Sequence, residues 1–328
     1  MATSKGLTAQ RLEKILERQS VPRWGKDYQP AVQASAQEAP RDSRPETVYS
    51  SLLARDIHCM SEPEMFAAFL ALYNPRLFDL HEQKMLSMLP SPHPLTTHPF
   101  ATGMLLPPVQ GTVKVMERLG VLNKHPMVEV VVSKDPFITQ WQPFPYLGDF
   151  LLFLLDDFNI PYCVNWTVKK DALGYKQRGI GRILNPMYAK EEEAKAEKRH
   201  VMEEEYHKDA SIRTIRVTWT DIDEEAAENL RVLCGYSREM LVSLKPAQYQ
   251  ELVCDFNDMV NCRVAPFSVF APLAAKYKCR PEEVRVALHQ AIWKRQLRVD
   301  LFRPILANHP LHEEECDILD VYKNWFEG

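Results

Sequence analysis

Asp149 and Lys169 are the residues whose types and spacing could do chemistry together. Asp149 opens one apolar run (Phe150–Leu155), Lys169 closes the next (Tyr162–Val168), and Asp156-Asp157-Phe158-Asn159 lies between them. Two strands joined by a tight turn bring such outer ends back into proximity, although they are 20 residues apart in sequence. A carboxylate at the start of one strand and a lysine at the end of the next suit metal-assisted phosphodiester hydrolysis. One strand then supplies a metal ligand, and the other a further ligand and the cation that handles the attacking water. Alternation puts Thr167 and Lys169 on the face of Asn165 and Cys163, with Lys170 on the other. The same residues also fit a plain core hairpin whose terminal charges mark where it reaches water. Asp156 and Asp157 read as turn residues.

The bulk composition bounds what can surround this hairpin. The chain has 328 residues, enough for two domains, and its 45% apolar and 10% aromatic content is that of a folded protein. No run approaches the ~20 apolar residues of a membrane helix, and no signal-peptide pattern opens the chain. Seven cysteines, odd in number and without Cys-x-x-Cys spacing, point to reduced thiols in a cytoplasmic setting, with neither a disulfide framework nor a zinc site. With 40 basic against 44 acidic residues the net charge is −4, so any DNA handling must use local patches, metal or partners.

The positioning elements follow from caps and periodicity. Thr8–Gln19 suits a short basic helix, with Leu7, Leu12, Ile15 and Leu16 on one side. Positions 20–47 have the composition of a flexible tether, so folding is expected to begin near Tyr49. Ser61 followed by Glu64 is a capping-box signature ahead of the helix Met65–Tyr73, which Asn74-Pro75 stops. Arg76–Gln83 reads as a strand, Val113–Leu119 as a short helix, Met127–Val132 as a buried strand and Pro136–Pro145 as a loop. Tyr188–Lys208 is a charged helix with a Glu191/Lys195 pair, and no catalytic role is expected of it. Arg213–Trp219 alternates as a strand, and Asp223 caps a helix over Glu224–Leu233. From about residue 237 the chain is helical. The order Pro266–Tyr277, a turn, a helix opened by Pro281, then a strand Leu297–Leu301 is winged-helix grammar. Arg285, Lys294, Arg295 and Arg298 give it a basic side, for contact with DNA or with a protein partner.

Taken in order, these pieces resemble TnsA, the endonuclease subunit of heteromeric cut-and-paste transposases. The resemblance covers roughly residues 55–312 as a series of short motifs. It rests on Ser61-Glu-Pro-Glu64 running through Asn74-Pro75 to Glu82-Gln83, Gly148-Asp149-Phe150-Leu151, Val168-Lys169 and Asn229-Leu-Arg. It implies an α/β fold: a mixed sheet flanked by helices, of the restriction-enzyme-like PD-(D/E)xK kind, followed by an α-rich winged-helix domain. The divisions would be a flexible segment 1–49, a nuclease domain 50–223, the winged helix 224–312 and an acidic, aromatic tail 313–328. It further implies metal-dependent cutting of the non-transferred (5′) strand at transposon ends. The partners implied are an integrase-type transposase (TnsB) and an ATPase regulator (TnsC).

By the same resemblance Glu64 matches the family's helix glutamate, Asp149 its metal-binding aspartate and Lys169 its active-site lysine. Mg²⁺, with Mn²⁺ as a substitute, would then rest on Glu64, Asp149 and the Val168 carbonyl. The position two before the lysine, usually glutamine in this family, is here Thr167, a weaker neutral ligand for a hard cation. Gly148 stands where the family tends to have proline. Other readings stay open. Glu64 could be only the capping partner of Ser61, with Glu62 a rival two residues away. Glu82 could be a further ligand or a strand-end charge. His58, His81, His200 and His207 are scattered and need no role. The tail Glu313–Phe326 is a last packing helix or a docking peptide. The protein as a whole could also be a non-cleaving adaptor of a transposition complex, or a winged-helix regulator with an unrelated N-terminal domain.

Overall fold

A computed structural model describes residues 6–40, 43–135, 137–176 and 186–328, the side chains of 186–196 excepted. The chain opens with α1 (Ala9–Gln19), whose cap Thr8 accepts the Arg11 N–H through its side chain. The following stretch is packed, not a tether. Tyr28, Ala31, Val32 and Ala39 are buried. Ala31 N–H donates to the Gln83 carbonyl at 3.2 Å and the Tyr28 hydroxyl to the Glu82 carbonyl at 2.8 Å. The Tyr28 ring stacks on His81 at 3.9 Å. Few apolar residues are needed, because two aromatic rings and backbone donors cover an otherwise unpaired sheet edge. Folding therefore begins well before Tyr49.

The hairpin β1 (Glu46–Ser50) and β2 (Arg55–Cys59) leads into α2 (Glu62–Tyr73), which is buried throughout Glu64–Tyr73. β3 (Leu77–Met85) follows, then α3 (Thr112–Arg118). Next come β4 (Met127–Lys134) and β5 (Phe137–Pro143), paired only with each other. Two expectations fail here. The stretch read as a loop is largely a strand, and the strand read as buried is largely exposed, with Val131 and Val132 about half open. A two-stranded ribbon outside the main sheet has packing on one side only. Here that packing is Val128 and Phe144 against Leu12 and Ile15 of α1.

The hairpin of β6 (Leu147–Leu155) and β7 (Pro161–Lys169) forms as expected, in antiparallel register from Phe150↔Trp166 to Leu155↔Pro161. Asp156 Oδ1 accepts the Phe158 and Ile160 N–H groups, a turn role. The long helix α4 (Pro186–Asp209) crosses to β8 (Arg213–Thr218), which pairs parallel to β7. The side chains of Glu191 and Lys195 lie outside the described residues. The main sheet is mixed, in the order β3-β6-β7-β8, and the fold is α/β. Phe150, Leu152, Val164, Trp166 and Val168 face α2 and α5 (Glu224–Ser237). Leu151, Phe153 and Cys163 face the opposite way, toward Met202 and Tyr206 of α4.

Asp223 caps α5 by accepting the Ala226 N–H, and α6 (Pro246–Asn261), α7 (Pro266–Tyr277) and α8 (Pro281–Trp293) follow. The strand expected over Leu297–Leu301 is a single bridge, Val299↔Glu313. Asn229 pins α5 to this region, its amide donating to the Leu301 and Arg303 carbonyls at 2.9 Å each. The tail is a packing element: Tyr322 and Phe326 are buried, and Trp166 Nε1 donates to the Trp325 carbonyl at 2.6 Å. One apolar cluster runs from α2 through α5 to α8 and the tail. All seven cysteines are free, and among the described residues no helix is long and apolar enough to cross a membrane.

Candidate functional site

The open end of the sheet, where β6 begins and β7 ends, gathers Glu64, Asp149, Val168 and Lys169. Asp149 is held by β7 itself. Its Oδ2 accepts the Val168 N–H at 2.7 Å and the Lys169 Nζ at 3.0 Å. Nζ also donates to the Val168 carbonyl at 2.7 Å. Strand phase thus selects Lys169 over Lys170, as alternation required. Burial acts to raise the Asp149 carboxyl, but the Lys169 ammonium and the Val168 N–H outweigh it and hold it below the usual carboxylate range.

Glu64 is the capping partner of Ser61 and also stands close enough to Asp149 to feel its charge. As the third residue of α2 it completes the cap, with its N–H on Ser61 Oγ at 3.4 Å and Ser61 Oγ donating to Oε1 at 3.1 Å. Its Oε2 accepts the Met60 N–H at 2.8 Å and the Gln83 amide at 3.1 Å. Burial first, and then the charge of Asp149, raise its carboxyl to about 7. Glu62 is exposed and drops out. Gln83 holds Glu64 from the strand beside Asp149. It sits between the register pairs Glu82↔Phe150 and Lys84↔Gly148, hence opposite Asp149, with φ at +47°. A non-glycine residue in that left-handed region within a strand is a mark of functional positions. Gln83 was part of a quoted motif, yet its type alone carried no role.

Glu82 is neither a free strand-end charge nor available as a ligand. It is fully buried and paired with the Arg55 guanidinium at 2.8 and 2.9 Å. Thr167 is 3% exposed, and its Oγ1 is buried without a hydrogen-bond partner. Its backbone carbonyl accepts the Tyr175 hydroxyl at 2.6 Å. Sequence reasoning missed Glu203 of α4 altogether. Its carboxyl is buried, and burial followed by the charge of Asp149 raises it to about 7. The charge run around Glu203 offers several acids alike, and only the register of α4 on the sheet turns this one inward.

The four basic residues of the C-terminal part stand elsewhere, on α8 and the turn after it. Arg285 lies over the Tyr236 ring at 5.7 Å and Lys294 over Tyr249 at 5.0 Å. Arg295 is ion-paired to Asp317, and Arg298 bridges Glu314 and Asp317. The tail thus draws off half of the basic face.

Among the described residues no group of three or more His, Cys, Asp and Glu side chains forms a ready metal cage. The donors that do converge are hard oxygens, two carboxylates and a backbone carbonyl beside an orphaned buried hydroxyl. That set fits Mg²⁺ or Mn²⁺ better than a soft-ligand metal. No protein-family model matches the chain, and no curated protein matches it significantly.

Proposed function

We propose that this protein is a metal-dependent DNA endonuclease. Its catalytic half would be of the PD-(D/E)xK kind and its C-terminal half a winged helix. It would cut the non-transferred (5′) strand at transposon ends, alongside an integrase-type transposase and an ATPase regulator, in the cytoplasm at the nucleoid. The observation that carries this reading is the convergence of Glu64, Asp149 and Lys169 from α2, β6 and β7, in the order that the TnsA resemblance implies. Supporting it further are the orphaned Thr167 hydroxyl and the helical order of α7 and α8 before the Val299 bridge. A net charge of −4 suits a subunit that reaches DNA within an assembly.

Glu64, Asp149 and the Val168 carbonyl would hold Mg²⁺ or Mn²⁺, with Thr167 Oγ1 as a neutral addition. When bound, such an ion polarises the scissile phosphate and lowers the pKa of bound water. Lys169 has two N–H bonds directed at Asp149 and Val168, which leaves one of its three donors for water or a phosphate oxygen. It orients the attacking water and offsets charge on the pentavalent phosphate. Ser61, Met60 and Gln83 keep the Glu64 carboxylate aimed at the sheet end.

The test is strand cutting in the complete reaction with both partners. Asp149→Ala should lose 5′ nicking by at least ~100-fold, the scale of several kcal/mol of metal stabilisation. Cutting of the 3′ strand should persist, and products should shift toward fused cointegrates. Nicking within a few-fold of wild type would remove Asp149 from the site. Wild-type protein that leaves the 5′ strand intact in both Mg²⁺ and Mn²⁺ would instead make it a non-cleaving adaptor.

A further inference from the structure

One acidic side chain at the sheet end is left unused by the nuclease reading. Glu203 projects from α4 onto the sheet and is 4% exposed. Its Oε1 accepts the Asn165 amide at 3.0 Å. A Cβ placed on Gly148 would lie 3.5 Å from that same oxygen, so the carboxylate rests against the residue preceding Asp149. Among the described residues it has no ion-pair partner; the charges of Arg199 and Lys169 act on it only from farther off, and its hydrogen bond is to a neutral amide, so it is weakly compensated. Alternation along β7 puts Asn165 and Thr167 on the face that α4 covers. Thr167 Oγ1 is buried there with no partner, and so is His200 Nδ1, one turn before Glu203 on α4. The Glu203 carboxylate, the orphaned Thr167 hydroxyl and the neighbouring Asp149 are all hard oxygen donors of the kind a small divalent cation takes.

We propose that Glu203 supplies the acidic ligand that β7 lacks at Thr167, and that with Asp149 and Thr167 Oγ1 it binds a divalent cation on the α4 side of the sheet end. The charged ligand has moved from the strand to the helix that packs on it. The site takes a small hard cation, Mg²⁺ or Mn²⁺, since every donor is oxygen. The purpose of that ion rests on the nuclease reading, but its binding does not.

The experiment is a calorimetric titration of the full chain with Mn²⁺, without DNA or partners. Glu203→Gln should weaken binding at least about tenfold, the usual scale for losing one supporting group at a metal site. Thr167→Glu placed in the Glu203→Gln background should recover affinity to within a few-fold, because it returns a carboxylate to the strand position two before Lys169. A purely structural role for Glu203 offers no route to that rescue. Unchanged affinity in Glu203→Gln beside a loss in Asp149→Ala overturns this inference and leaves the nuclease reading standing. A wild-type chain that binds no Mn²⁺ overturns this inference, and nicking in the complete reaction decides the nuclease reading separately. Should Glu203→Gln fail to fold by circular dichroism, Fe²⁺ with ascorbate and peroxide can be used on the wild type. Backbone cleavage beside Glu203 as well as beside Asp149 supports the site, and cleavage confined to Asp149 removes it.

Discussion

Two buried acidic neighbourhoods flank the same sheet and are solved in opposite ways. At Glu82, in the middle of β3, a fully buried carboxylate meets the Arg55 guanidinium in a two-pronged pair and also accepts the His58 N–H. At the sheet end, Glu64 and Glu203 are also buried but accept hydrogen bonds only from neutral donors; Lys169 is bonded to Asp149, and Arg199 acts on Glu203 without forming an ion pair. Burying an ion without a partner costs several kcal/mol, so a fold has reason to compensate each one. It does so at Glu82 and leaves the sheet end in deficit. Charge compensated within the chain is architecture. Poorly compensated charge gathered in a cluster, with a hydroxyl also unpartnered, is the pattern that marks candidate functional sites.

The contrast breaks most sharply under removal of Arg55. Arg55→Ala strands Glu82 and should destabilise the protein by about 3–5 kcal/mol, the cost of opening a buried pair from one side. Urea unfolding measures it, and a loss below about 1 kcal/mol would mean that Glu82 is not held by the pair. Glu64→Gln is the opposite experiment. Its neutral amide keeps the size and relieves crowding with Asp149, so unfolding should show equal or greater stability. If Glu64 is the metal ligand proposed above, the same variant should lose 5′ nicking by ~100-fold. A Glu64→Gln protein that is much less stable yet still cuts would return Glu64 to being only a cap.

Thr167 offers a smaller and more selective effect. Thr167→Val keeps the shape and removes the orphaned oxygen, so folding should be unharmed. The Mg²⁺ needed for half-maximal nicking should rise by about tenfold, with Mn²⁺ restoring part of the loss. Thr167→Gln should keep activity, because an amide oxygen also serves a hard cation. An unchanged metal requirement in Thr167→Val would make the side chain a bystander.

What could be read from the sequence was whatever has a local signal. The hairpin, the choice of Lys169 over Lys170, the caps at Ser61 and Asp223 and the helix at Pro281 all follow from turn residues, alternation or capping within a few positions. Glu64 was harder, because its capping role is local while its approach to Asp149 depends on the tertiary fold. Glu203 could not be distinguished from its neighbours, since a helix with acids on several faces does not say which face the sheet covers. Val130-Val131-Val132 reads correctly as a strand, but its exposure depends on having β5 as its only partner. The segment before Tyr49 looked unstructured because it uses backbone donors, Tyr28 and the Trp24 ring against His81 and Phe153 in place of an apolar stripe.

That segment supplies the mildest test of the contrast, as a third acidic neighbourhood that is compensated. Glu38 bridges Lys14 and Arg18 of α1 and accepts the Gln33 N–H, tying residues 31–39 to the helix. Burial acts to raise its carboxyl, but the Arg18 and Lys14 bonds and the Gln33 N–H outweigh it and hold the group at about 2. A group depressed on folding contributes stability in full above its unfolded value and loses it as pH falls through the folded one. The contribution should therefore be intact above about pH 4.5 and fade as pH falls toward 2. Lys14 is half exposed, so solvent screens part of it, and about 1 kcal/mol is expected. Hydrogen exchange corrected for intrinsic rates should show residues 31–39 opening in that window before the β6–β7 hairpin does. Glu38→Gln should open them at neutral pH, without altering Mn²⁺ affinity at the sheet end. If the hairpin opens together with the segment, the N-terminal stretch belongs to the same cooperative unit as the site, and the two regions are not independent.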